Sequence, residues 1–361
     1  MSTKAKVRAR AAQLRRAFED AGGEFVEAAM LQPAEILLDL YGEDIRARAY
    51  VTSDALRGEQ MLRPDFTVPV VQMHMDHGAE PARYTYAGEV FRRQEDDDTR
   101  ESEYVQVGFE IFDREEPAAA DAEVFSVIGD TLSGVSLRAA TGDIGILTAA
   151  VRGLETTERR KRALLRHIWR PRRFRALLDR FSGRGRKVSS RTTLIQSSDP
   201  MKHDFPDIGM RTQTEVAERI DALREDAAAP PISAREVGLI DALLNVRETL
   251  PFALEHLRDL AVDMPAITDA TLRLQERIEA MSARGVDVTN LEFEASYGRT
   301  SMEYYDGFVF GFYAPGRADL PPVATGGRYD ALTRVLGQGS EIPAVGGVIR
   351  PGLLLDLEVS A

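Results

Sequence analysis

Cysteine is absent from this 361-residue chain, which excludes disulfide bridges and thiolate metal sites and makes the reducing cytoplasm the expected compartment. Apolar runs are too short to cross a bilayer, so no membrane role is expected. The opening stretch MSTKAKVRARAAQLRRAF has no apolar core of the kind a secretory signal needs. Its lack of acids and its arginines would also suit an organellar transit peptide, but the helical pattern runs straight into the domain and reads as a first helix. There is no P-loop, hence no phosphate cradle of that type. Basic residues are in deficit, 46 Lys and Arg against 58 Asp and Glu, and the net charge of −12 argues against general nucleic-acid binding. Histidine is sparse too. His74 and His77 lie three apart without a recognisable second pair, so packed or surface roles are expected, with no metal and no cofactor.

The length fits one large domain with an insert, or two domains. Period-two patterns occupy both ends of the chain: short strands around Tyr50–Ser53 and Gln60–Leu62, a pair within Tyr84–Phe112, then Val135–Thr141, Leu291–Tyr297, Glu303–Ala314 and Ala344–Ile349. Between them the sequence reads as almost wholly helical from Gly142 to Gly285, with a linker at Ala227–Ser233 and a capping box formed by Ser233 and Glu236. An α+β fold is therefore expected: a sheet core from 1–145 and 289–361, with a helical insertion over 146–288. Inside that insertion, Arg159–Lys187 holds thirteen basic residues and one acid, Asp179, a local charge of +12. Leu164, Ile168, Phe174, Leu178 and Phe181 interleave at helical spacing, which predicts amphipathic helices with a cationic outer face. Three roles fit: a solvated face, a surface for an acidic partner subunit or phosphate ligand, and an RNA contact.

The stretch Tyr84–Phe112 comes closest to spelling out a site. Val105, Val107, Phe109 and Ile111 share one strand face, while Gln106, Gly108 and Glu110 share the other. The preceding strand places Arg92 with Tyr84, Tyr86 and Gly88, and the charged run Gln94–Glu103 reads as the hairpin loop. A guanidinium for a carboxylate, a carboxylate for an amine or imidazole N–H, and glycines that leave room together suit a small zwitterion. Ordinary polar residues on the wet face of an antiparallel sheet would look the same. Upstream, Pro64 and Pro69 flank Asp65 and Thr67 and predict a rigid platform for those two side chains.

Taken together these segments resemble the class II aminoacyl-tRNA synthetase fold, with its antiparallel sheet core flanked by helices, and within it histidyl-tRNA synthetase. Phe91–Phe112 matches the second signature motif. Gly326–Asp330 and Pro343–Gly346 match the approach to the third, and Ser301–Phe310 is similar to the histidine-specific segment that reads RGLDYYTGTVF in synthetases. The resemblance implies that Asp65, Thr67 and Gln106 surround an amino-acid amine, that Arg92 holds its carboxylate, and that Glu110 with Tyr305, beside Tyr304, meets an imidazole. Synthetases usually carry Glu where Asp65 stands, so altered reach is expected.

Other departures point away from catalysis. The arginine opening the histidine-specific segment is replaced by Thr300, with Arg299 beside it on the other face of an extended chain, and the third-motif arginine falls at Leu353 after Gly352. Amino-acid activation builds negative charge on phosphorus, and one lost donor there costs about 3 kcal/mol of barrier. The sequence ends at Ala361 soon after that motif, and no anticodon-binding domain is expected. A synthetase-like chain that keeps the amino-acid groups and lacks the activating ones is similar to the family of ATP phosphoribosyltransferase regulatory subunits. That likeness implies no catalytic residues, a role in histidine biosynthesis and its feedback regulation by histidine, and a homodimer within a hetero-oligomer with the short-form catalytic subunit. Arg170, Arg172 and Arg173 are the expected partner contacts. The alternatives are a degenerate class II ligase and a histidine- or RNA-binding module.

Overall fold

The structure is a computed structural model and describes residues 3–41, 48–93, 101–185, 188–202, 209–299 and 304–360. The strands are β1 (Glu24–Phe25), β2 (Leu31–Pro33), β3 (Val51–Asp54), β4 (Gly58–Leu62), β5 (Ala82–Phe91), β6 (Glu103–Phe112), β7 (Arg138–Asp143), β8 (Arg247–Thr249), β9 (Glu292–Glu294), β10 (Phe308–Tyr313), β11 (Ala324–Arg328) and β12 (Ala344–Ile349). Nine of them form one sheet in the order β1-β5-β6-β12-β11-β10-β7-β9-β8, and β2-β4-β3 form a small second sheet. Only the β1–β5 and β7–β9 pairs are parallel; the other neighbours in the large sheet are antiparallel.

The helices are α1 (Lys4–Asp20), α2 (Ala34–Tyr41), α3 (Thr67–His77), α4 (Pro117–Thr131), α5 (Ile144–Arg152), α6 (Glu158–Arg166), α7 (Pro171–Phe181), α8 (Ser189–Gln196), α9 (Gln213–Ala228), α10 (Ala234–Leu244), α11 (Leu250–Asp263), α12 (Thr268–Ala283), α13 (Asp330–Leu336) and α14 (Pro351–Ser360). Among the described residues, none of them is long and apolar enough to cross a membrane. The first begins where Thr3 Oγ1 accepts the Lys6 N–H at 3.4 Å, satisfying one of the orphan donors of a helix start. Its buried stripe is Ala11, Leu14 and Phe18, and Phe18 packs on Phe109 of β6 with ring centroids 5.4 Å apart. Phe125 of α4 meets Phe308, Phe310 and Phe312 of β10 on that same underside. One face of the sheet is thereby sealed with hydrocarbon, and the opposite face of β6, β12 and β11 is left to carry the site.

The Gly326-Gly327 pair lies inside β11, where Gly327 pairs with Gly346 of β12 and the two glycines let other side chains lie over the sheet. Three sequence expectations change. The stretch expected to be helical contains β8, which joins the large sheet as its edge strand by pairing with β9. The linker starts later than expected, since α9 continues through Ala228; the Ser233–Glu236 capping box is present. The strand expected over Leu291–Tyr297 is reduced to Glu292–Glu294.

Candidate functional site

Glu110 sits in the middle of the large sheet, opposite Tyr84 on β5 and Gly346 on β12. A methyl group at position 346 would overlap its carboxylate, so only glycine lets that side chain lie across the strand. Three hydroxyls donate to it: Thr67 Oγ1 to Oε1 at 3.2 Å, Tyr86 OH to Oε1 at 2.7 Å and Tyr329 OH to Oε2 at 2.7 Å. Burial pushes the Glu110 carboxyl up to about 7, against the pull of those hydroxyls and with a further push from the nearby Asp65 charge.

The donors are themselves held. Phe66 stacks on Tyr86 at 4.3 Å, and the Arg63 guanidinium covers the other side of Phe66 at 3.9 Å while its Nε donates to the Glu89 carbonyl at 2.8 Å. That sandwich fixes the turn before α3, so Thr67, the first residue of the helix, faces Glu110. Asp65 is buried beside it, with the Val68 N–H at 3.4 Å from its Oδ1. Tyr304 OH donates to Thr67 Oγ1 at 3.4 Å, and the Tyr304 ring meets Tyr305 at 4.8 Å and Tyr329 at 6.1 Å. The Tyr305 ring lies over Gly327 in the space a Cβ would need, and its hydroxyl is pushed well up by burial and by the Glu110 charge.

Gln106 is 1% exposed, and its Oε1 has no hydrogen-bond partner among the described residues. A buried amide oxygen without a donor costs about 1–3 kcal/mol and is an invitation to a ligand N–H. Arg92 follows β5; its Nε donates to the Pro64 carbonyl at 2.7 Å, and its charge is felt at Tyr305. Asp65, Thr67, Arg92, Gln106, Glu110, Tyr304 and Tyr305 are therefore brought together around one face of β6. That face is not a wet one: every residue from Gln106 to Phe112 is buried, on both sides of the strand. Two acids, a bare amide oxygen and several hydroxyls favour a ligand rich in N–H donors, and Arg92 at the edge suits its carboxylate.

The sequence alone did not single out Tyr86 and Tyr329 as holders of Glu110, nor Gly346 as the space under it. Tyr329 belongs to the quoted Gly326–Asp330 motif, so the signal was present without its role. Thr300 and Ser301–Glu303 lie outside the described residues, as do Gln94–Arg100 of the hairpin loop.

A family model for histidyl-tRNA synthetase matches residues 2–187 and 213–351. An ATP phosphoribosyltransferase regulatory subunit of Brucella anthropi is 31% identical over 349 residues, covering 90% of each chain. The chain belongs to the histidyl-tRNA synthetase-like family of ATP phosphoribosyltransferase regulatory subunits. Solved structures agree on the fold. A Bacillus halodurans protein described as an ATP phosphoribosyltransferase regulatory subunit/histidyl-tRNA synthetase superposes with a TM-score of 0.69 at 20% identity, over 98% of this chain and 79% of that one. A histidine–tRNA ligase subunit from Alicyclobacillus acidocaldarius does so with 0.60 at 22% identity, over 100% and 96%. At the position where the synthetase resemblance leads one to expect a catalytic arginine, Leu353 of α14 packs against the hydrophobic core.

The basic stretch differs from its expected form. Arg160 turns inward, 6% exposed, donating from Nε to Asp226 at 2.7 Å and from Nη1 to the Pro230 carbonyl at 2.7 Å. Arg180 and Arg191 reach the same Asp226 at 2.9 and 2.7 Å, so three guanidiniums overrule its burial and hold its carboxyl below the usual range. Arg175 pairs with Asp241 and Asp179. Part of the expected cationic face is thus internal mortar between α6, α7 and α9. Arg172 and Arg173 are exposed at the start of α7 and Arg170 is half-buried just before it; Arg186 and Lys187 lie outside the described residues. His74 is a packed residue, stacked on Phe112 at 4.0 Å with Nδ1 3.1 Å from Tyr84 OH, while the side chain of His77 is outside the described residues.

Proposed function

We propose that this chain is a non-catalytic subunit that binds free histidine in the Glu110 pocket and conveys that binding to the short-form catalytic subunit of ATP phosphoribosyltransferase. The observation that carries the reading is the state of the pocket among the described residues: a buried carboxylate held by neutral hydroxyls, next to an amide oxygen with no donor. Histidine supplies what such a pocket lacks. Its imidazole N–H would meet Glu110 beside Tyr305, its ammonium would fall among Asp65, Thr67 and Gln106, and Arg92 would take the carboxylate. Thr300 and Leu353, where activating arginines are expected, support binding without chemistry. Regulation then needs only that histidine favour one of two assembled states over the other.

Calorimetric titration with histidine tests the site. The wild-type chain should show saturable binding, and Glu110→Ala should weaken it by about a hundredfold or more, because a desolvated N–H loses its acceptor. Unchanged affinity would sink the pocket, and ATP–pyrophosphate exchange with histidine would sink the non-catalytic role. Mixing with the short catalytic subunit tests the partner: activity and co-elution should appear together. Reversing the charge at Arg170, Arg172 and Arg173 should shift the complex toward free subunits, in a gel-filtration profile that stays the same if this face takes no part.

A further inference from the structure

A second cavity opens on the site side of the sheet, over β10 and β11, with Tyr305 as the one side chain it shares with the Glu110 pocket. Its volume is about 530 Å³, and its walls include Tyr297, Arg299, Tyr305, Tyr313 and Pro171. Tyr297 and Tyr313 are tied by their hydroxyls at 2.7 Å, with rings nearly perpendicular at 84°. The space between them exists because residue 311 is glycine; a Cβ there would collide with the Tyr297 hydroxyl.

Arg299 gives the cavity its chemistry. It is 5% exposed, its Nε donates to the Ile168 carbonyl at 2.8 Å, and its guanidinium lies 4.9 Å from the centre of the Phe174 ring. Its Nη2 has no hydrogen-bond partner among the described residues, and burial without a carboxylate to answer it lowers the side chain to about 10. The acid in the cavity wall is already engaged: Glu294 accepts from Ser296 Oγ at 2.5 Å and stands 3.7 Å from Arg247 Nε. Beside this bare cation edge, α7 starts at Pro171 and presents its first-turn N–H groups near Arg170, Arg172 and Arg173. A buried guanidinium with an N–H that no described residue accepts is most stabilised by an oxyanion, and tyrosine walls in a space of this size suit a planar ring.

We propose that this cavity is a second small-molecule site, separate from the Glu110 pocket, that takes an aromatic oxyanion. Its carboxylate or phosphate rests on the unpartnered edge of Arg299 and its ring packs against Tyr297, Tyr305 and Tyr313. Occupancy would also bear on α7, since Arg299 joins the cavity to Ile168 and Phe174.

Trp169, the only tryptophan, lies between Ile168 and Pro171 and serves as the reporter. Full-length protein is titrated with benzoate, phenyl phosphate and inorganic phosphate by Trp169 fluorescence and calorimetry, with histidine titrated in parallel. Saturable binding of at least one ring-bearing anion is expected, about tenfold tighter than inorganic phosphate, with the better of the two telling carboxylate from phosphate. Arg299→Met and Ser296→Phe, the second of which fills the cavity and leaves the contacts of Arg299 in place, should each weaken that binding about tenfold or more. Histidine affinity should stay near wild type in both. If Arg299→Met fails to fold, Ser296→Phe decides. The proposal is overturned by no saturable binding of either aromatic anion, by inorganic phosphate binding as well as they do, or by affinities that the substitutions leave unchanged. Histidine binding lost in the wild type would count against the Glu110 pocket alone.

Discussion

The two faces of the central sheet carry charge in opposite ways. Beneath it, Asp121 Oδ2 accepts from Arg277 Nε at 2.8 Å, and Asp121 Oδ1 accepts from Arg328 Nε and Nη2 at 3.0 and 2.7 Å. Arg277 Nη2 reaches Asp143 at 2.9 Å, and Arg328 Nη1 reaches Asp330 at 3.0 Å. Burial works against the Arg277 cation, but Asp121 and Asp143 overrule it and hold its pKa above the usual value. Opposite charges meet there, and among the described residues Arg277 Nη1 is the one atom of these side chains left without a partner. On the site face, Glu110 is answered by three neutral hydroxyls and raised by burial, with a further push from Asp65. Ion pairs under the sheet bind helices to it; above it, Glu110 meets only neutral hydroxyls among the described residues, which suits the N–H donor of the proposed ligand. Charge closure separates mortar from pocket where burial alone does not, since both sets are equally buried.

The largest effect should come from opening the closed side. Asp121→Asn takes one carboxylate from two guanidiniums in a dry interior and leaves Arg277 with Asp143 and Arg328 with Asp330, and should destabilise the fold by about 2–4 kcal/mol, because buried charge-assisted hydrogen bonds lose their ionised acceptor. Urea unfolding measures this directly. A loss below about 1 kcal/mol would mean that the network is hydrated or redundant, and the contrast between the faces would fail with it.

How much of this contrast could be read from the sequence depends on whether partners are close along the chain. The alternation in β6 placed Gln106 and Glu110 on one face, because period two is a local property. The capping box at Ser233 was equally local. What held Glu110 was not: Thr67, Tyr86 and Tyr329 come from three other segments, and only the resemblance to a known fold had put Thr67 nearby. The inward turn of Arg160 was illegible for the same reason, since Asp226 lies 66 residues away and charge counting treats every arginine in a run alike. The edge strand β8 is only three residues long, too short for any periodicity to show.

A smaller effect sharpens the comparison from the open side. Burial raises Glu110 from an ordinary 4.5 to about 7 in the folded chain, and it raises Asp306 from an ordinary 3.8 to about 7, near Asp330, while the Asp306 oxygens accept the Asp330 and Ala331 N–H groups at 3.0 and 2.7 Å. A folded-state value above the unfolded one means that the folded protein binds the proton more tightly. The stability so contributed is complete below about 4.5 and is lost as pH rises through 7. Glu110→Gln removes the ionisable group and keeps an acceptor for the tyrosines. The variant should therefore gain on the wild type as pH rises, by on the order of 1–3 kcal/mol at pH 8 relative to pH 4.5, with the remaining slope shared among Asp306, Asp330, His74 and His167. The measurement is a pair of urea unfolding series across that range. Parallel curves for the two proteins would show that Glu110 ionises as easily folded as unfolded. A carboxylate so well answered by its surroundings would have no need of a ligand, whereas a variant that is more stable and no longer binds histidine would place the cost of keeping that charge buried on the side of function.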